Sequence, residues 1–132
     1  MEEALTARLL ATPALAALTG NRITWGERVK TEALPAIVML TVSPGRNYVH
    51  AGADTTGNPR VQFDCYAQTA LAAKELARTL RDTLETPATQ GAVRFSAALL
   101  EALRGPLTED VGGGLKVYRY SLDFFVWFSP AA

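Results

Sequence analysis

The sequence predicts an α+β domain in which helices pack on one face of a mainly antiparallel sheet of about four to five strands. Two observations support this prediction. Helical and strand-like segments follow one another in the order helices, strand, loop, strand, helix, strand, strand. The 132 residues, 48% hydrophobic and 20% charged, suffice for one core and differ from the composition of disordered chains, so residues 1–132 are predicted to form a single domain.

Two short helices are predicted at the start of the chain. In residues 2–11, Leu5 and Leu9 are four positions apart, and glutamates in the first turn suit the helix dipole. A second helix follows, with Thr12 as a possible N-cap, a proline at its first position and Gly20 at its end. The two segments are therefore predicted to form a pair of short amphipathic helices.

Two strands are predicted next, after a brief extended segment, "RITWG". The β-branched apolar run at 34–43 ends at a Pro-Gly pair suited to a type II turn, as a buried strand would. In residues 60–67, Val61, Phe63 and Cys65 alternate with polar side chains. This period is typical of a half-buried strand.

The most regular helical pattern follows. Thr69 can cap a helix in which Leu76, Leu80 and Leu84 fall on one stripe, and a proline ends it. Residues 93–103 could form a helix or a strand, because their composition favours a helix while their apolar residues alternate as in a strand. We adopt the strand for this segment.

The stretch "VYRYSLDFFVWF", residues 117–128, is predicted to form one long strand. Its even-numbered residues form an apolar face that suits the core. The opposite face mixes charged and aromatic residues, namely Arg119, Asp123, Phe125 and Trp127. The two aromatic residues of that face would leave an exposed patch of the kind that marks a protein contact.

Two segments are predicted to lie outside the core. Residues 44–59 are polar and interrupted by glycine and proline, which predicts a long loop or a mobile hairpin. Long loops in compact domains tend to be functional or disordered. Residues 106–114 are predicted as a glycine-rich loop.

Composition excludes several classes of protein and site. Thirteen basic residues balance thirteen acidic ones, so the basic excess of tight nucleic-acid binders is missing. No apolar run approaches the ~20 residues that cross a bilayer, and the start of the chain lacks a basic export segment. We therefore expect a protein on the non-exported side. One cysteine and one histidine exclude an internal disulfide and the usual structural zinc sites.

The candidates for chemistry each have a simpler structural interpretation. His50, Asp54 and Asp64 could act with Cys65 as nucleophile, but this cysteine shares a strand face with core residues. The stretch "VGGGLK" lacks the ending of a phosphate loop and leads into a strand. A basic stripe on the main helix, Lys74, Arg78 and Arg81, is diluted by nearby acids. We expect no enzyme, cofactor or metal site.

Two lone acids stand in apolar strands. Asp64 and Asp123 would each cost several kcal/mol if buried without a partner. Each must therefore face solvent, an arginine or a neighbouring subunit. The nearby candidates are Arg60, Arg94 and Arg119.

Several segments, in this order, resemble the tail terminator or tail completion family of long-tailed bacteriophages and phage-like gene transfer particles. They are "LLATPALAALTGNRITWG", "LPAIVMLTVS", "VQFDCYAQT" with "LAAKELARTLRDTL", and "YSLDFFVWF". The resemblance covers nearly the whole chain, and its motifs are structural rather than catalytic. The matching positions are Asp64, Cys65, Leu122, Asp123, Phe124, Val126 and Trp127.

The resemblance implies an α+β subunit that forms a hexameric ring on the tail tube, stops tube polymerisation and docks the head connector. The implied partners are further copies of the chain, the tube protein and the connector, and DNA passes through the ring without specific binding. The implied location is the tail of a virion or phage-like particle assembled in a bacterial cytoplasm, with no membrane partner.

We expect the subunit or partner interface to include residues of the first loop and of the last strand, namely Arg46, Asn47, Tyr48, His50, Asp54, Asp123, Phe125 and Trp127. Residues lining the channel should be acidic or neutral, because a basic band would retain DNA. Two alternatives remain open: a small binding module that uses its loop, and a hydrolase that uses His50 and Cys65.

Overall fold

The computed structural model describes residues 2–27, 34–43, 46–49, 52–112 and 115–131. These residues form three helices, α1 (Glu2–Leu10), α2 (Pro13–Thr19) and α3 (Ala70–Glu85). They also form ten strands: β1 (Ile23–Trp25), β2 (Ala36–Ser43), β3 (Arg46–Val49), β4 (Gly52–Gly57), β5 (Arg60–Ala67), β6 (Ala88–Gln90), β7 (Val93–Phe95), β8 (Leu99–Gly112), β9 (Leu115–Phe125) and β10 (Phe128–Pro130).

The strands form two sheets. The larger sheet has the order β1-β2-β5-β9-β8, and every pair in it is antiparallel except β1 with β2. The predicted α+β class and the five-stranded, mainly antiparallel sheet are therefore confirmed. A second sheet, in the order β3-β4-β10-β7-β6, was not predicted.

Helix α3 follows its sequence pattern closely. The Thr69 side chain accepts a hydrogen bond from the backbone N–H of Ala72 at 3.1 Å, which satisfies one of the free donors of the first turn. The leucines of the predicted stripe, Leu76, Leu80 and Leu84, are fully buried. This face packs the helix onto the larger sheet.

The core lies between the helices and the larger sheet. Phe63 of β5 and Phe124 of β9 meet edge to face, with ring centroids 5.9 Å apart and an interplanar angle of 84°. Of the even-numbered residues from 118 to 128, the central ones, Leu122, Phe124 and Val126, are buried as predicted. Those nearer the two ends of the stretch are half-buried.

Arg8 is a buried cation that joins α1 to α3. Its Nη2 donates hydrogen bonds to the carbonyl oxygens of Thr83, at 2.7 Å, and of Thr86. The guanidinium also lies 5.3 Å from the ring centroid of Phe95, and burial lowers its pKa. A cation at the carboxyl end of α3 satisfies free carbonyls and complements the helix dipole.

The predicted twelve-residue strand at 117–128 is wrong in its last residues, because β9 ends at Phe125. The chain then leaves the larger sheet. The backbone N–H of Val126 donates to the carbonyl of Pro59 at 2.9 Å, and Phe128 begins β10, which pairs with β7 and β4. Because the residues from Phe128 onward pair with strands of the second sheet, they do not continue β9 in the larger sheet.

The two predicted loops are largely strands. Residues 44–59 contain β3 and β4, so of the two alternatives for this segment the structure has the hairpin. The loop predicted at 106–114 is wrong, because β8 and β9 pair as far as Gly112 and Leu115. Pairing with a partner strand overrides weak strand propensity here. In the segment 93–103, predicted as a strand, residues 93–95 form β7 and residues 99–103 begin β8, so strand is right at both ends; residues 96–98 belong to neither strand, and β7 and β8 lie in different sheets.

Gly105 lies at an irregularity of β8 that requires glycine. Its φ is +143°, and a Cβ atom there would lie 2.7 Å from Cδ1 of Tyr120 and 3.0 Å from the carbonyl oxygen of Arg119. The pairing register of β8 with β9 shifts at this point. A side chain is therefore excluded by both conformation and space.

We expect Gly105→Ala to lower the free energy of unfolding by roughly 3 kcal/mol or more, the sum of backbone strain and overpacking. Gly26→Ala is the matched control, because Gly26 also has a positive φ, +89°, but nothing lies within 4 Å of its added Cβ. The control should cost about 1 kcal/mol. Urea unfolding measures both, and equal losses would contradict the steric explanation.

Candidate subunit interface

The face of the larger sheet that points away from the helices carries a buried carboxylate, Asp123. Its side chain is 6% exposed and lies between two arginines from the neighbouring strands. Arg60 of β5 donates to Oδ2 at 2.8 Å, and Arg104 of β8 donates to Oδ1 at 2.9 Å. Both carboxylate oxygens are thus satisfied by charge-assisted hydrogen bonds.

The two arginines decide the charge state of Asp123. Burial raises the pKa of its carboxyl group, but the hydrogen bonds and charges of Arg104 and Arg60 outweigh that effect. The pKa of Asp123 therefore lies below its ordinary value. The residue is ionised at neutral pH and is held in one position.

The polar contacts continue along the same face. The Ser121 hydroxyl donates to Asp64 at 2.6 Å and accepts from Arg104 at 3.1 Å. Asp64 also accepts from Gln62, and its carboxylate lies 3.7 Å from Arg119. Among the described residues, the hydrogen bonds and ion pairs of this face join what we call the outer polar network, namely Arg60, Asp123, Arg104, Ser121, Gln62, Asp64, Arg119 and Glu109, and the ring of Tyr66 lies 5.9 Å from the guanidinium of Arg119.

The outer polar network shows which residues pair with Asp64 and Asp123, the two lone acids of the sequence. Arg60 and Arg119 are partners, as predicted, whereas Arg94 is exposed on β7 in the other sheet. The sequence analysis did not identify Arg104 as a partner of Asp123. The one sequence feature that could have indicated it is the register of the β8–β9 hairpin, which places Arg104 opposite Ser121. Asp123 is satisfied inside its own chain, so its contribution to a subunit contact stays a prediction.

The proposed nucleophile does not have the environment of one. Cys65 is fully buried, and burial, followed by the charge of Asp64, raises the pKa of its thiol far above the ordinary value. A buried thiol of this kind stays protonated at neutral pH and is a poor nucleophile. Its predicted partner, His50, lies outside the described residues.

The predicted interface residues of the first loop fall in the β3–β4 hairpin. Arg46, Asn47 and Tyr48 lie in β3, and Asp54 lies in β4. The contacts of their side chains lie outside the described part of the structure. Their place in an interface stays a prediction.

The carboxyl end of β9 carries an apolar patch beside the outer polar network. Trp127 is 41% exposed, Phe125 is half-buried, and Leu99, opposite Phe125 on β8, is 58% exposed. On β2, Leu40 and Val42 are each 50% exposed. Exposed apolar side chains on a sheet face favour contact with another protein.

Neither a metal site nor a membrane span is found in the part of the chain that the structure describes. No group of three or more metal-ligating side chains occurs among the described residues. No helix within these ranges has the length and apolar character to cross a bilayer.

Comparison with known proteins finds a matching family and a solved structure of similar fold. A family model described as Tail completion protein gp17 matches residues 3–129. A chain from a solved structure entitled "Virion of native gene transfer agent (GTA) particle" superposes with a TM-score of 0.67 at 17% identity, over 99% of this chain and 95% of the other. At that identity the likeness shows the fold. The search of curated proteins gave no match.

We expect Asp123→Asn to lower the free energy of unfolding by about 2 kcal/mol at pH 7, because it weakens two charge-assisted hydrogen bonds to partly exposed arginines. The folded pKa is lowered, so the stabilisation is complete above the pKa of an unfolded aspartate, about 4, and is lost as pH falls through the folded value.

Urea unfolding between pH 7 and pH 2 measures this difference. The stability of wild type and Asp123→Asn should converge at the acid end. Asp82→Asn is the control, because Asp82 is exposed on α3. A difference that stays constant across this range would contradict the ionised pair.

Proposed function

Because this chain belongs to the family of Tail completion protein gp17, and is a structural protein of a phage-type tail, we propose that it closes the tail as a ring of identical subunits. The ring, a hexamer, caps the tail tube, ends its polymerisation and joins it to the head connector. The observation that carries the proposal is the family match over residues 3–129, nearly the whole chain.

Physical features of the subunit support a ring. A closed ring with rotational symmetry uses a heterologous contact, in which two different surfaces of each subunit meet. The sheet has two different edges, the short β1 and the long β8, and exposed apolar side chains lie on β2 and β8 near them. Such a subunit can contact one neighbour at each side.

The charge of the chain supports passage of DNA. Thirteen basic and thirteen acidic residues give a formal net charge of zero. A ring that neutralised many phosphates would hold DNA strongly at moderate salt. A neutral subunit lets DNA move through the channel during packaging and release.

The particle is a phage or a phage-like gene transfer agent, assembled in the bacterial cytoplasm. The matched solved structure, whose title names a gene transfer agent virion, favours neither over the other at 17% identity. Both kinds of particle need a protein that ends the tail tube and joins it to the head.

Deletion of the gene tests the proposal directly. Particles made without it should have overlong tails or tails without heads, because nothing ends the tube or offers a docking surface for the connector. Negative-stain electron microscopy measures tail length and attachment, and complementation with the wild-type gene is the control. Normal particles from the deletion strain would overturn the proposal.

Substitution of His50 and Cys65 separates a tail protein from a hydrolase. We expect His50→Ala and Cys65→Ala to leave tail length and head joining unchanged in complemented particles. Cys65→Ala should cost roughly 1 kcal/mol of stability, since it removes one buried atom from the core. Assembly that fails while both purified variants remain folded would favour the catalytic alternative.

A further inference from the structure

A basic groove with an apolar floor lies at the β8 edge of the larger sheet, on the side of the helices. The floor is formed by Leu103, Tyr120 and Leu122, and one wall by the exposed side of α3. Leu103 is 50% exposed, because α3 covers β9 but leaves part of β8 open. We call this the α3–β8 groove.

The wall of the groove carries three cations, Lys74, Arg78 and Arg81. They recur at i, i+4 and i+7 and so lie on one stripe of α3. Among the described residues, none of the three forms a salt bridge. One turn before Lys74, Leu71 is 77% exposed, the most exposed large apolar residue described. The groove therefore offers positive charge and apolar area together.

A surface of opposite character lies on α1. Glu2 and Glu3 are exposed in its first turn, and Leu10, 39% exposed, lies at its end. Trp25 of β1 completes the surface, and its Nε1 donates to the Thr6 hydroxyl at 2.7 Å, which holds the indole against the helix. We call this the α1–β1 surface. Within the described ranges, neither glutamate has a basic partner.

The two surfaces lie at opposite edges of the same sheet. Trp25 belongs to the edge strand β1, and Leu103 belongs to the other edge strand, β8. Four strand spacings of about 4.8 Å separate these edges, so the surfaces are roughly 19 Å apart. Complementary surfaces on opposite sides of a subunit are what a head-to-tail contact requires.

We propose that the α1–β1 surface of one copy of this chain docks into the α3–β8 groove of the next copy. This inference rests on the proposed ring and names its contact. The carboxylates of Glu2 and Glu3 meet the cations of α3, and the apolar residue Leu10 covers the exposed Leu103. Charge complementarity selects the partner and fixes its orientation.

A second copy fits the groove better than DNA does. Glu75, Asp82 and Glu85 lie on α3 close to the cations, so the stripe is not the continuous run of positive charge that tracks a phosphate backbone, whereas two carboxylates need only the cations that they face. The apolar floor of the groove also has no counterpart in a phosphate backbone. With the stripe covered by a neighbour, the six sets of cations do not line the channel, which agrees with a channel that lets DNA pass.

Charge reversal tests the contact in particles. Three variants complement the deletion strain: Glu2→Lys with Glu3→Lys, Arg78→Glu with Arg81→Glu, and all four changes together. We expect each double variant to reduce the yield of particles with normal tails by at least about tenfold. The combined variant should recover most of that yield, because the opposite charges again face each other.

A single reversal outside both surfaces serves as the control, Arg94→Glu, since Arg94 is exposed on β7 of the other sheet. Its yield should equal that of wild type. Thermal unfolding of each purified variant shows that the subunit itself folds, so a low yield reports the contact and not the fold.

Three results would overturn the docking proposal. They are normal particles from both double variants, no recovery in a combined variant that is folded, and normal tails with altered DNA retention in Arg78→Glu with Arg81→Glu. In each case the deletion strain still tests the tail function separately. If deletion gives abnormal tails and any of these results is also found, the proposed tail function stands and this contact between copies is rejected.

Discussion

The buried carboxylate of Asp123 constrains the centre of the molecule. It lies 2.8 Å from Arg60 and 2.9 Å from Arg104, which belong to the strands on either side of β9. A slip of one residue in either pairing would put Asp123 and the arginine of that neighbouring strand on opposite faces of the sheet, and a buried charge that loses its partner costs several kcal/mol. A slip between β5 and β9 would also separate Phe124 from Phe63. The ion pairs and the aromatic contact therefore specify one register for three strands.

That register gives the sheet two different faces and two different edges. One face is covered by the helices, and Arg8 holds α1 to the carboxyl end of α3. The other face carries charge pairs beside exposed apolar residues such as Leu40 and Leu99. Because β8 extends beyond the cover of α3, the helix side also stays open at one edge, beside Leu103. An isolated subunit thus exposes apolar area that a neighbour can bury.

These features suit a protein whose work is assembly. The buried thiol of Cys65 is protonated, and the polar residues of the outer face are occupied with one another. In the proposed ring, a subunit of zero net charge would pair acidic and basic surfaces with its neighbours without presenting a net basic channel to DNA. The proposed contact between the α1–β1 surface and the α3–β8 groove would give that assembly a direction.

The sequence by itself determined the α+β class, the stripe and cap of α3, and the inward face of β5, because these depend on periodicities within one element. Its resemblance to tail completion proteins also came from ordered local segments. Only the tertiary structure decided that Arg104 pairs with Asp123, that residues 106–112 extend β8, and that the last strand breaks after Phe125. The predicted interface residues depend on a neighbour, which the sequence of one chain does not place. In each of these cases the deciding partner belongs to another strand, and local pattern does not encode which distant backbone or charge a residue will meet.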